Sequence, residues 1–236
     1  MSAAEAPALQ EAPSTGGAAR IPLPRDPLRA AMRLNLHPQQ DVHSSWWPSD
    51  WPAAHRRAGA LGPQAQALLA QWLHRRFAAA PNDYRFDTPL RRLALLDGPS
   101  LRRLAAYVGL AVHRPVFLQR GVGRRLLRHA RRLDTDADGF ILERVPALPA
   151  LGMNHAPLLT RPAGAGRIIF DRGHRLLAAL LQEIDEPLRA AAQRKLPRRA
   201  AALATPSLAS PQRQQLEELI FMCLIPERLG SWDWLF

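Results

Sequence analysis

Apolar residues along this chain recur at helical spacing. Asp26 and Pro27 open a short helical turn through Leu28, Ala31 and Met32, which Pro38 stops. Gly62 and Pro63 precede a helix faced by Leu68, Leu69, Trp72, Leu73 and Phe77, and Thr88 and Pro89 begin a shorter one through Leu90, Leu93 and Leu96. Leu101, Leu104, Ala105, Val108 and Val112 then mark one face of an amphipathic helix, with Pro99 and Ser100 as its start signal. His113, Arg114 and Pro115 interrupt it. Val122, Leu126, Ala130 and Leu133 predict a second helix, whose remaining directions are taken by Arg124, Arg125, Arg128, Arg131 and Arg132. The two form a hairpin with a basic outer face, since residues 99–133 hold nine arginines and no acid.

Beyond Leu133 the pattern becomes irregular. Residues 134–166 carry Pro146, Pro149, Pro157 and Pro162 with four glycines, and the strand-like runs at 140–142 and 167–170 are short enough only for a small hairpin or extended lid. Asp171 caps a helix faced by Leu176, Leu177, Leu180, Leu181 and Ile184; Pro187 either kinks it or starts a successor running to Leu196. Ser210 and Pro211 begin a final helix through Leu216, Leu219, Ile220, Cys223 and Leu224, and Pro226 ends it ahead of an aromatic tail over residues 229–236. The expected fold is all-α: one irregular, bundle-like domain over residues 21–236, with about seven unequal helices and a Pro/Gly-rich middle. Residues 1–20, rich in Ala, Pro, Ser and Gly, read as a disordered tail.

Composition changes this picture in two ways. The net charge of +12 comes from 32 basic against 20 acidic residues, and all the basic residues but Lys195 are arginine. A GC-rich genome would produce the same skew, so charge alone does not separate a working surface from base composition. Secondly, the single Cys223 excludes an intrachain disulfide and suits a reducing compartment. With no secretory signal pattern at the start and no apolar run near the roughly 20 residues a bilayer needs, the expected location is the cytoplasm.

Candidate chemistry is sparse. Asp134, Asp136, Asp138 and Gly139, with Ile141, imitate the opening of a calcium loop, but Val145 stands where the bidentate carboxylate belongs and Pro146 follows it. An acidic turn ending a basic helix accounts for the motif without a metal. The eight histidines form no HExxH pair or Cys/His cluster, and His113 and His129 lack a nucleophile and carboxylate at a recognisable spacing. The GVG at 121–123 and GAG at 164–166 do not extend to phosphate-binding loops. No catalytic, metal or cofactor residue is assigned. Trp46, Trp47 and Trp51 read as a lid on the core, with ligand or partner binding as the alternative.

The order of features resembles the SctK/YscK/PscK family of type III secretion accessory proteins. The likeness is carried by Asn35, Leu36, His37 and Pro38, by HSSWWPSDW at 43–51, by LALLDGPSLRRLAAYVGLAVH at 93–113, and by the layout from Gly173 through Pro187 to RKLP at 194–197 and a Pro-flanked terminal helix. The arginine density and the DTDADG turn have no counterpart in it. The resemblance implies a mostly helical, non-enzymatic cytosolic adaptor of the injectisome sorting platform, at the cytosolic face of the inner membrane. It would link the inner-membrane ring protein SctD to the pod protein SctQ, which joins SctL and the ATPase SctN, and would reach the membrane only through these partners. The expected docking residues are Arg124, Arg125, Arg128, Arg131 and Arg132, with Trp232, Trp234 and Phe236 of the tail, which may instead fold into the core. The alternative reading, a basic nucleic-acid-binding protein, rests on charge alone, without a helix-turn-helix, RNP or zinc-finger signature.

Overall fold

Short polar residues ahead of prolines set several of the helix starts. The computed structural model describes residues 26–51, 61–77, 84–202 and 205–236. These hold thirteen α-helical segments: α1 (Pro27–Leu36), α2 (Pro63–Phe77), α3 (Pro89–Leu93), α4 (Gly98–Val112), α5 (Arg114–Phe117), α6 (Val122–Arg131), α7 (Ala137–Glu143), α8 (Ala156–Thr160), α9 (Ala165–Leu180), α10 (Glu186–Arg194), α11 (Arg198–Ala201), α12 (Ser210–Glu218) and α13 (Ile225–Arg228). No strand occurs among the described residues, so the chain is all-α. The tail expected over residues 1–20 lies outside them.

Asp26 and Thr88 accept backbone N–H bonds at the starts of α1 and α3, satisfying donors that have no intrahelical partner. The cap of α4 is Asp97, whose carboxylate accepts from Ser100 N at 2.7 Å, so the Pro99–Ser100 start signal falls inside the first turn of a helix that begins at Gly98. That leaves the Ser100 hydroxyl to receive Trp232 Nε1 at 2.9 Å.

Three sequence expectations are corrected. The strand-like runs at 140–142 and 167–170 are helical, within α7 and α9. Consequently α9 starts at Ala165 rather than being capped by Asp171, and the β-branched Ile169 is buried on its inner face with Ala165, Gly166 and Gly173. Tertiary packing outweighs local propensity there. Pro226 does not end the terminal helix. A π-helical turn, Leu219–Leu224, shifts the bonding so that Ile225 N donates to Ile220 O, and helix resumes through Pro226 to Arg228. Pro187, by contrast, sits in the first turn of α10, the successor helix the sequence allowed.

The main core is built around the crossing of α4 and α9, with α1, α6, α7, α10 and the terminal helix packed about it. A satellite core joins Val42 and Trp47 to Leu69 and Leu73 of α2, with Trp46, Trp51, Trp72 and Phe77 packed against it. The tryptophan loop thus has the lid role, and it covers α2 rather than the main core.

Candidate interaction site

The two helices expected to form a hairpin pack elsewhere instead, α4 on α9 and α6 on α5 and α7, and the five arginines of α6 and its C-cap are all exposed. At 100° per residue, Arg131, Arg124, Arg128, Arg132 and Arg125 fall within an arc of about 120°, and the opposite arc buries Gly123, Leu126, Leu127 and Ala130. Gly123 lets α6 press against α5, since a Cβ there would stand 2.4 Å from the Val116 carbonyl oxygen. Gly121, with φ of 78°, turns the chain into the helix through a conformation that favours glycine. The arginine face is therefore a rigid element pinned at its start. Arg131 Nε donates to Asp138 Oδ2 at 2.6 Å; Arg124, Arg125, Arg128 and Arg132 have no hydrogen-bond or ion-pair partner among the described residues.

The aromatic tail folds back. Trp232 and Leu235 are buried, the Trp232 ring lies under the Arg33 guanidinium at 5.5 Å, and the Leu235 carbonyl accepts from Arg92. Trp234 stacks on Trp232, and Phe236 packs beside Phe221, both half-buried. Of the two dispositions the sequence left open, Trp232 takes the core one and is not presented to a partner.

The acidic turn disperses its carboxylates. Asp134 accepts from Arg103 at 2.6 Å and from the Tyr107 hydroxyl, Asp136 from Arg228 at 2.7 Å, and Asp138 from Arg131. Arg228 in turn lies 4.0 Å over the Phe140 ring. These arginines hold Asp136 and Asp138 below the usual carboxylate range, chiefly by direct hydrogen bonds. Among the described residues no three His, Cys, Asp or Glu side chains are grouped to hold a metal.

The histidine between α4 and α5 has a defined role. His113 is fully buried, with Nε2 3.3 Å from an Arg172 guanidinium nitrogen and Nδ1 3.1 Å from His155 Nδ1. Arg172 can only donate, so His113 Nε2 accepts, its Nδ1 carries the proton, and His155 Nδ1 accepts that proton's bond. Burial, then the Arg172 charge, pushes His113 down to about 3.

The sequence reading missed a buried polar junction. Lys195 Nζ donates to the carbonyls of Ala94 at 2.8 Å and Leu96 at 2.6 Å and lies 3.3 Å from Asp41 Oδ2. Arg33 joins the same carboxylate at 3.0 Å and the Leu95 carbonyl at 2.9 Å, while Arg102 donates to the Lys195 carbonyl. Above it, His43 N bonds Arg194 O and Trp46 Nε1 bonds Leu196 O, each at 2.9 Å. One signal was available: in a chain of arginines, a lone lysine marks a place where a compact ammonium fits and a planar guanidinium does not. The cavity beside it, lined by Leu34, Asp41, Leu73 and Lys195 among others, measures about 30 Å³, room for one water. A shallow cleft of about 310 Å³ near Arg91 is edged by charges that pair with one another, Arg91 with Asp87 and Asp185, and Glu183 with Arg213. Comparison with known proteins returned no matching family model, no matching curated protein and no matching solved structure.

Proposed function

We propose that this protein is a non-enzymatic adaptor of a type III secretion injectisome, linking the inner-membrane ring protein SctD to the pod protein SctQ at the cytosolic face of the membrane. One observation carries the reading. The separate segments that bear the SctK resemblance come together in space: residues 35–38 adjoin Asp41, the 43–51 loop seats on 194–198, and 94–96 accept the Lys195 ammonium. A likeness scattered over sequence is thus a likeness in one three-dimensional unit. No helix among the described residues is long and apolar enough to cross a membrane, which fits attachment through partner proteins.

Deletion of the gene tests it. The expected result is loss of secretion through the injectisome and dispersal of SctQ from the membrane, both restored by the wild-type gene. Normal secretion with SctQ still at the membrane would overturn the proposal.

A further inference from the structure

The arginine face of α6 is not accounted for by the stability of the fold. Arg124 and Arg125 stand in the first turn of α6, where the helix dipole presents partial positive charge and a cation is disfavoured; that turn contains no acid. Elsewhere on the chain Arg33, Arg91, Arg103 and Arg228 are tied to carboxylates or carbonyls. Base composition would supply arginines anywhere. It does not explain why four of them, on one arc of one helix and two at its unfavourable end, have no partner among the described residues.

We infer that this face docks an acidic helical segment of a partner protein. Charge complementarity names the sign of the partner, and the rest of the surface names its class. From Arg124 to Arg132 the face runs about 12 Å, the length of two helical turns. At the far end the carboxylates of Asp136 and Asp138 close the basic field. A long polyanion tracking beyond the arginines would run into those carboxylates, whereas a short segment with two or three carboxylates at helical spacing matches the two turns of arginines that end at Asp138. Arginine is also enriched at protein interfaces. The inference concerns the face itself and does not depend on the secretion reading.

Fluorescence anisotropy on the full chain tests it, at about 0.15 M salt so that loose electrostatic attraction is screened. The probes are a synthetic helical peptide with Glu at i, i+4 and i+7 and Leu on the adjoining face, the same peptide with each Glu changed to Gln, and a 20-base-pair DNA duplex. The Glu peptide should bind in the micromolar range and the Gln peptide about tenfold more weakly or less. Arg124→Glu with Arg128→Glu should weaken the Glu peptide about tenfold or more. Arg75→Glu with Arg76→Glu, exposed positions on α2, makes the same change in net charge and should leave binding within about twofold. Unchanged helical circular dichroism certifies each variant. Equal losses in the α2 and α6 variants, no peptide binding up to about millimolar, or a duplex bound more tightly than the peptide and lost in the α6 variant, would each overturn the inference, the last in favour of nucleic acid.

Discussion

Gly109 and Gly173 meet backbone to backbone where α4 crosses α9. A Cβ on Gly173 would stand 2.9 Å from Gly109 Cα and 1.9 Å from the Ala105 carbonyl oxygen, and one on Gly109 would stand 2.2 Å from the Ile169 carbonyl oxygen. Backbone atoms are the obstacles, so no rotamer change relieves the clash.

Gly173→Ala is therefore expected to destabilise the protein by about 3 kcal/mol or more, despite the higher helix propensity of alanine. Gly139→Ala, in α7 with open space around its Cα, should instead be neutral or stabilise by up to about 1 kcal/mol. Urea denaturation of the two variants separates packing from propensity; similar midpoints would contradict the described crossing.

Lys195 holds the Ala94 and Leu96 carbonyls and shares the Asp41 carboxylate with Arg33 and the Gly98 N–H. Lys195→Met keeps the length of the side chain but strands the Ala94 and Leu96 carbonyls and leaves Asp41 to Arg33 and the Gly98 N–H. The expected loss is about 3 kcal/mol, read from the denaturation midpoint at unchanged slope. A loss below about 1 kcal/mol would mean that the junction is not dry.

Acid should weaken the fold through its buried histidines. His113 has its folded pKa lowered to about 3 from 6.5, and His129, His155 and His174 shift in the same direction, by burial first in every case. A lowered value means that the unfolded chain binds protons the folded one excludes, so this stability is whole above pH 6.5 and is lost as pH falls below it toward 3. For His113 alone the loss between pH 7.5 and pH 5 is about 2 kcal/mol. His113→Gln should flatten that part of the stability profile; an equally steep profile in the variant would remove His113 from the account.

Much of this architecture was legible in the chain because helix starts here are local events. Thr88 with Pro89, and Gly62 with Pro63, set boundaries by capping and by proline's fixed φ, which need no tertiary information. What was not legible depends on contacts distant in sequence. Residues 167–170 look strand-like alone and are helical because Ile169 packs on α4; Pro226 continues a helix because a π turn precedes it. The arginine arc was readable from periodicity, but that four of its five members lack a partner among the described residues depends on where the carboxylates fold. Lys195 lies 154 residues from Asp41, and no spacing rule connects them.

The aromatic tail belongs to the same class of long-range contact. Trp232→Ala would remove a buried indole, its bond to Ser100 and its stacking with Arg33 and Trp234, for an expected cost of about 3–5 kcal/mol. Thermal unfolding should fall accordingly. If the variant melts like wild type yet loses partner binding, the tail is a docking element after all.

The central claim is that this chain bridges two proteins, and a bridging capture measures that directly. The cytosolic domain of SctD is immobilised, SctQ is added, and retention of SctQ is measured with and without the full chain. The account predicts that SctQ is retained only when the chain is present, in proportion to the chain bound. SctQ retained equally without it, or absent even when the chain itself is captured, would contradict the bridging role.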